Sequence, residues 1–240
     1  MKSSPSLILV GFLVVGCASS PSSKPQSKTD VAVPEVKITT ANQRDLFPFA
    51  EGNKWTYSVD ITRQLAGRNR ETTTGEMEYQ ITKVTKDGGF TKATISVLQD
   101  GVRKDEQQWG VDDKGIYQLS IRKDRVAYTP KQPVVRFPIK DQDKFDWDGK
   151  GLTPIGKLGR MVYAFKQDGM QNADTAMGSL YCVYMQSGGG FKNNDGTAGK
   201  IGVNSWFAPG IGLARYRQVV AVKEGESSIT LRLKSYTVKK

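Results

Sequence analysis

Short segments in which apolar and polar residues alternate dominate the chain from Leu46 onward. The clearest runs from Trp55 to Thr62, and it places Trp55, Tyr57, Val59 and Ile61 on one face, the period of a half-buried strand. Similar segments predict further strands at 76–85, 91–98, 106–111, 116–121, 125–129, 144–148, 160–166, 179–186, 205–208, 214–222 and 228–238. No stretch of a dozen residues keeps a 3.6-residue apolar period, so the pattern predicts an all-β, antiparallel fold.

Glycine-containing turns separate these segments. Four of them have the composition of hairpin turns and are found at 86–89, 99–101, 112–115 and 223–225. The segment from Gly188 to Lys200 is richer in glycine, but Asn194 occupies the first glycine position of a phosphate loop and Ile201 follows the lysine. We therefore expect a long, mobile connection between strands there.

An internal repeat suggests how the strands are grouped. Residues 47–57 align without gaps on 137–147, with Phe, Pro and Lys coinciding and two aromatic residues at equal spacing near the end. The spacing from Trp109 to Gly115 recurs from Trp206 to Gly212. We therefore expect two tandem strand-rich units, 46–132 and 133–240, that form one curved sheet, a half-barrel or a sandwich.

Aromatic residues are the most prominent candidates for either a core or a carbohydrate-stacking surface. The candidates are Trp55, Tyr57, Trp109, Phe145, Trp147 and Trp206.

The first 45 residues have a different composition. Met1 and Lys2 precede an apolar run from Leu7 to Val15, which is too short for a transmembrane helix, and small residues follow at Gly16 and Cys17. This order is typical of a secretory signal, with the signal peptide at 1–16. Residues 17–45 are rich in Ser, Pro and Lys and read as a disordered tether.

The Val14-Val15-Gly16-Cys17 segment resembles the recognition box of bacterial lipoproteins. The resemblance implies cleavage between Gly16 and Cys17, attachment of diacylglycerol to the Cys17 thiol, and acylation of the new amino group, commonly with palmitate. It also implies that Ala18, rather than aspartate, directs the protein to the outer membrane of a diderm organism, in the periplasmic or the surface-facing leaflet.

Charge and composition exclude several classes of function and partner. The formal net charge is +11, and loss of Lys2 leaves 34 basic and 24 acidic side chains, so we expect attraction to anionic lipids or acidic envelope glycans. Export argues against nucleic acid as a partner. The chain has no histidine, which removes Ser-His and Cys-His nucleophiles. Cys182 lies in a segment that is apolar on both faces, and we expect an inert buried thiol.

Two motifs carry a second resemblance. Phe-Pro-x-x-x-Gly-Asn-x-Trp-x-Tyr at 47–57 and Trp-Phe-Ala-Pro-Gly-Ile-Gly-Leu at 206–213 look like a broad group of uncharacterised bacterial lipoproteins, which supplies no catalytic residues. We expect a membrane-anchored, non-enzymatic structural or binding module of the cell envelope, with neither cofactor nor metal. A carrier for lipid or lipoprotein acyl chains and a glycan-binding or glycan-cleaving domain remain as alternatives.

Overall fold

A computed structural model describes residues 38–39, 42–121 and 126–239. In this part of the chain a 3-10 helix, Gln43–Leu46, is followed by twelve strands. They are β1 (Lys54–Leu65), β2 (Glu71–Asp87), β3 (Phe90–Gln99), β4 (Val102–Val111), β5 (Gly115–Ser120), β6 (Gln132–Arg136), β7 (Asp143–Leu152), β8 (Leu158–Thr175), β9 (Gly178–Asn193), β10 (Ala198–Ala208), β11 (Gly212–Val222) and β12 (Gly225–Thr237). Within the described residues, no helix is long and apolar enough to cross a membrane.

All twelve strands belong to one antiparallel sheet, in the order β6-β5-β4-β3-β2-β1-β12-β11-β10-β9-β8-β7. Strand β1 pairs with β12 in the middle of the sheet, and the two end strands, β6 and β7, are consecutive in the chain. The sheet curves until these ends approach each other, so it is nearly closed and barrel-like. The all-β prediction is confirmed, and the structure has the curved single sheet rather than a sandwich.

Alternation along the strands gives the sheet an inner and an outer face. In β1, Trp55, Tyr57 and Val59 are buried and point inward, whereas their neighbours are partly exposed. Strand β8 alternates without interruption from Leu158 to Phe165, with every second residue buried. Because strand residues alternate between faces and paired residues share a face, the register identifies which side chains line the interior.

Polar and ionic contacts join the two ends of the sheet. Thr129 and Lys150 exchange two backbone hydrogen bonds of 2.9 Å. Farther along, the Arg136 guanidinium donates to both carboxylate oxygens of Asp143, and its backbone N–H donates to Gln167 Oε1 at 2.9 Å. Side chains thus hold β6 against β7 and β8 where a continuous backbone ladder is lacking.

The sixth strand lies elsewhere than the sequence predicts. Of the segment 125–129, residues 126–129 form a connection with a single bridge at Thr129, and the strand is Gln132–Arg136. Pro133 lies within this strand, and β6 tolerates it because an end strand has one side on which an N–H is not needed. Position 133, the predicted unit boundary, therefore lies inside β6.

The glycine-rich segment is also different from the prediction. Strand β9 continues through Gly188, Gly189 and Gly190 to Asn193, and β10 begins at Ala198, so only a tight turn connects them. A Cβ at Gly189 would lie 2.0 Å from the Val162 carbonyl oxygen. This close approach of two backbones explains why residue 189 is a glycine. Gly189 lies in a paired strand and not in a loop.

The two copies of the repeat precede equivalent strands. Residues 47–57 lead into β1, the first of six strands, and 137–147 lead into β7, the first of the next six. Trp109 and Trp206 lie in the fourth strand of each set, β4 and β10. The division into two tandem units stays a prediction.

One end of the sheet is filled by the residues just before β1. Leu46 and Phe47 are fully buried, and the Phe47 ring stacks between Trp55 and Trp109 at centroid distances of 5.0 and 5.1 Å. Trp55 Nε1 also donates to the Ile211 carbonyl oxygen at 2.5 Å. This packed end leaves the middle of the interior as the place where a cavity forms.

Candidate functional site

The sheet encloses a cavity of about 260 Å³ between two apolar clusters. Trp109 and Phe207 of the larger cluster form part of its wall, and Tyr163 and Phe165 of the smaller one form another part. Its size is slightly below the roughly 300–1,000 Å³ typical of ligand pockets. The cavity can therefore hold only a small molecule.

A polar belt crosses this otherwise apolar wall. Gln107 Oε1 accepts a hydrogen bond of 2.9 Å from Trp109 Nε1, and the Gln107 amide contacts the Tyr79 hydroxyl. On the facing strands, the Tyr216 hydroxyl donates to Gln218 Oε1 at 2.7 Å. These pairs hold amide and hydroxyl groups in fixed positions around the cavity, as in sites that orient a ligand by hydrogen bonds.

The belt is almost entirely uncharged. Burial raises the pKa of Tyr79 to about 12, the hydrogen bond from Gln107 partly offsets this rise, and the nearby Asp105 carboxylate adds to it. Burial likewise raises the pKa values of Tyr163 and Tyr216 well above their ordinary value. The tyrosines therefore keep their protons at neutral pH, and they offer both donors and acceptors.

Two hydroxyl groups in the cavity wall have no hydrogen-bond partner in the described part of the chain. Tyr163 is only 4% exposed and Ser205 only 7% exposed, and both line the cavity. Neither hydroxyl oxygen is fully enclosed by protein atoms, so both are available for hydrogen bonds inside the cavity.

The loop between β7 and β8, Thr153 to Lys157, lies against the cavity. Its Pro154 and Gly156 form part of the wall. The fully buried Thr153 hydroxyl donates to Asn193 Oδ1 at 2.7 Å, and Lys157 Nζ contacts Asp195 Oδ2 at 2.6 Å. The loop is thus fastened to the turn after β9, and we call it the β7–β8 loop below.

A second cavity of about 200 Å³ lies beyond the β7–β8 loop. Ile61, Ile155 and Val222 contribute to its mainly apolar wall. It shares Pro154, Gln218 and Ile229 with the first cavity. Displacement of the loop would bring the two spaces into contact.

The outer face carries one of the aromatic residues that the sequence singles out. Trp206 stacks on Tyr184 at a centroid distance of 4.7 Å and an interplanar angle of 20°, and Arg215 lies 4.9 Å from its ring. Tyr184 and Arg215 belong to the strands on either side of Trp206. Both ring faces are thereby covered, so this indole does not offer a flat platform for a sugar.

The other aromatic candidates lie in or against the core. Trp55 and Tyr57 are fully buried at the packed end, and Trp109 contributes to the cavity wall. Trp147 is buried beside Tyr128, and the half-buried Phe145 stacks on Phe165 with centroids 5.0 Å apart. Gly16 and Cys17, the predicted cleavage and lipid-attachment sites, lie outside the described residues.

Other reactive groups are accounted for by packing. Cys182 is fully buried, and burial raises the pKa of its thiol to about 12, so the prediction of a buried thiol is confirmed. Within the described residues, no three His, Cys, Asp or Glu side chains are placed to hold a metal ion.

Sequence reasoning did not identify the residues of the belt. Gln107 shares its inward face with Trp109, and Ser205 shares its face with Phe207. A polar residue in the apolar phase of a strand is the signal that could have found them. Which such residues meet across the interior depends on the closure of the sheet, which no single strand specifies.

Comparisons with known proteins give a likeness of fold. No family model and no curated protein matches the chain. Among solved structures, a candidate lipoprotein from Parabacteroides distasonis ATCC 8503 aligns with a TM-score of 0.50 at 14% identity, over 80% of this chain and 98% of that one. A candidate exported protein with a YmcC-like fold from Bacteroides fragilis NCTC 9343 gives 0.41 at 13% identity, over 80% and 98%. The hypothetical lipoprotein YmcC from Escherichia coli K12 gives 0.33 at 11% identity, over 73% and 83%. The fold of this chain is thus similar to that of the Parabacteroides protein.

Proposed function

We propose that this chain is a lipid-anchored protein of the bacterial envelope that binds a small uncharged molecule inside its sheet, without catalysis. The anchor rests on the Val14-Val15-Gly16-Cys17 segment, and the description of the Parabacteroides neighbour as a lipoprotein supports it. The observation that carries the binding function is the cavity with the unpartnered hydroxyl groups of Tyr163 and Ser205.

The chemistry of the wall defines the class of ligand. A charged ligand would lose its hydration in an interior that offers mostly neutral amide and hydroxyl groups, which is costly. An uncharged molecule with hydroxyl or amide groups and an apolar face matches the belt and the aromatic wall together. The volume of about 260 Å³ limits it to the size of a single sugar ring or a small aromatic alcohol.

The absence of catalysis is the remaining part of the proposal. It is supported by the lack of histidine and by tyrosine and cysteine pKa values that burial raises, which leaves these groups neutral and weakly nucleophilic at pH 7.

Mass spectrometry of the small molecules that co-purify with the mature protein from its own host tests the binding function. Tyr163→Phe removes one hydroxyl and keeps the ring, so loss of one hydrogen bond of about 1 kcal/mol should lower the amount of bound molecule about fivefold. Ser205→Leu removes the other hydroxyl and fills space, and it should abolish binding. Tyr117→Phe is the matched control, since that hydroxyl donates to Asp112 Oδ1 and Tyr117 does not line the cavity.

Circular dichroism of each variant shows that its sheet is intact. The proposal is wrong if nothing beyond water occupies the wild-type cavity, or if the amount of bound molecule is the same in all four proteins.

A carrier for acyl chains is the second candidate. The second, apolar cavity favours it, because only shared wall residues, Pro154, Gln218 and Ile229, lie between the two cavities, and the two together could accept a longer chain. Binding of a fluorescent fatty acid that Val222→Glu abolishes and Tyr163→Phe leaves unchanged would support this candidate over the small uncharged ligand.

A further inference from the structure

Basic residues collect on the outer face of strands β7 to β11. The side chains that point outward there include seven cations besides Arg215, which packs on Trp206, and four acids, Asp146, Asp148, Asp168 and Asp174. We call this surface the basic face, and its cations are Lys144, Lys150, Arg160, Lys166, Lys192, Lys200 and Arg217.

The register of the sheet places these cations together. Val162 pairs with Gly190, and Gly190 pairs with Lys200, so the three share the outer face. Two outward rows farther along, Asn204 pairs with Arg217. Residues paired in neighbouring strands lie about 5 Å apart, so the basic face is one continuous surface.

Most of the cations on this face have no acidic partner. Arg160 pairs with Asp148, and Lys166 lies 3.0 Å from Asp168. Within the described ranges, none of the other five forms an ion pair; they are Lys144, Lys150, Lys192, Lys200 and Arg217. By contrast, the basic residues Lys54 and Lys234 near the middle of the sheet are paired with Glu78 and Glu76. Because these cations outnumber the four acids on the same strands, the basic face keeps a net positive charge.

Large aliphatic side chains accompany these charges. Leu158 is 49% exposed and Val162 is 48% exposed, and both lie on the outer face of β8 on either side of Arg160. Exposed aliphatic groups among cations are the pattern of proteins that bind at a membrane interface.

Small residues make the middle of the face low. Ala164, Gly188, Gly202 and Val219 form a row across four strands and line a groove of about 860 Å³. A Cβ at Gly202 would have nothing within 4 Å, so packing does not require glycine there. Because this row has only small side chains, a flat surface can approach the surrounding cations closely.

We propose that the basic face docks on an anionic lipid bilayer, with its cations among the headgroups and Leu158 and Val162 at the boundary of the acyl chains. The charge complementarity fixes the sign of the partner, and the exposed aliphatic groups favour a bilayer over an acidic glycan. This surface is separate from the interior cavity, and its function does not depend on a ligand there. Docking through the basic face sets the orientation of the sheet on a membrane.

Vesicle sedimentation tests the proposal with the mature chain from position 17 carrying Cys17→Ser, so that no lipid contributes. The wild-type sequence at the basic face should bind vesicles containing about one-third phosphatidylglycerol and not vesicles of phosphatidylcholine alone. Lys200→Glu with Arg217→Glu should weaken that binding at least tenfold in about 0.1 M salt, where surface charges act over about 10 Å.

The matched control is Lys83→Glu with Lys86→Glu on β2, which changes the net charge equally on a strand outside the basic face. It should change binding less than twofold. Equal losses in both variants would show that net charge alone is responsible and would overturn the proposal. It would also be overturned if dextran sulfate bound in a manner that depends on Lys200 and Arg217 while the vesicles did not bind.

A dye attached to the protein gives a second test of docking, in which the charges of the basic face are unchanged. Cys182 is buried, so an environment-sensitive dye can be attached at Gly202→Cys, with Thr85→Cys on β2 as the control position. The dye at position 202 should report an apolar environment when anionic vesicles are added, and the dye at position 85 should not. The opposite result would assign docking to another face.

Discussion

At the scale of single residues, glycines in the strands have two different origins. Gly189 lies where β8 and β9 approach so closely that a Cβ would meet the Val162 carbonyl oxygen at 2.0 Å. Gly202 lies on the outer face with open space above it. A glycine inside a strand lowers stability, so its presence calls for a reason. Close packing of two backbones is the reason at Gly189, and the low surface of the basic face is the reason at Gly202.

The pair Gly189→Ala and Gly202→Ala tests this distinction. Gly189→Ala should lower the free energy of unfolding by about 2–3 kcal/mol, because the added methyl group overpacks the backbone contact. Gly202→Ala should raise it by about 0.5 kcal/mol through the smaller entropy of the unfolded chain. Urea denaturation measures both, and equal effects would contradict the assignment.

At the scale of elements, the β7–β8 loop decides whether the two cavities stay separate. The hydrogen bond from Lys157 is the largest cause that lowers the pKa of Asp195 to about 2, and the Thr197 backbone N–H adds to the effect. Because the folded value lies below the ordinary value of 3.8, the contact is stabilising at neutral pH. It is lost as the pH falls from about 4 to about 2.

Lys157→Met should return the pKa of Asp195 toward its ordinary value, as followed by NMR titration of the carboxyl carbon. Asp168, whose pKa is lowered chiefly by Lys166, is the internal control and should not change. An unchanged pKa of Asp195 in the variant would mean that Lys157 does not hold the loop to the turn after β9.

At the scale of the whole molecule, alternation predicted most of the strands but not their closure. The face of β1 that carries Trp55 and Tyr57 is apparent from the sequence, and so are the turns around Gly88 and Gly225. Strand β6 was misplaced because Pro133 usually interrupts a ladder, and only its position at the end of the sheet makes it acceptable. An end position is a property of the closed sheet rather than of the local sequence.

The candidate site was less predictable than the fold. Tyr163 and Ser205 belong to β8 and β10, and they meet at one cavity only because twelve strands curve around it. The basic face has the same origin, since Lys144 and Arg217 are 73 positions apart in the sequence. In the sequence, single cations in alternating segments indicate only that each strand has a solvated face. The register of the sheet is needed to show that the outer faces of five strands form one surface.

The anchor at Cys17 is the claim on which the envelope setting of both the cavity and the basic face depends. Intact-mass spectrometry of the protein extracted from the membranes of its own host measures it directly. We predict a chain that begins at Cys17 and carries the added mass of a diacylglyceryl group and an acyl group, together with loss of that mass and of membrane association in Cys17→Ser. A mature chain that begins elsewhere or carries no lipid, or a Cys17→Ser protein that is processed and fractionates like the wild type, would contradict the account.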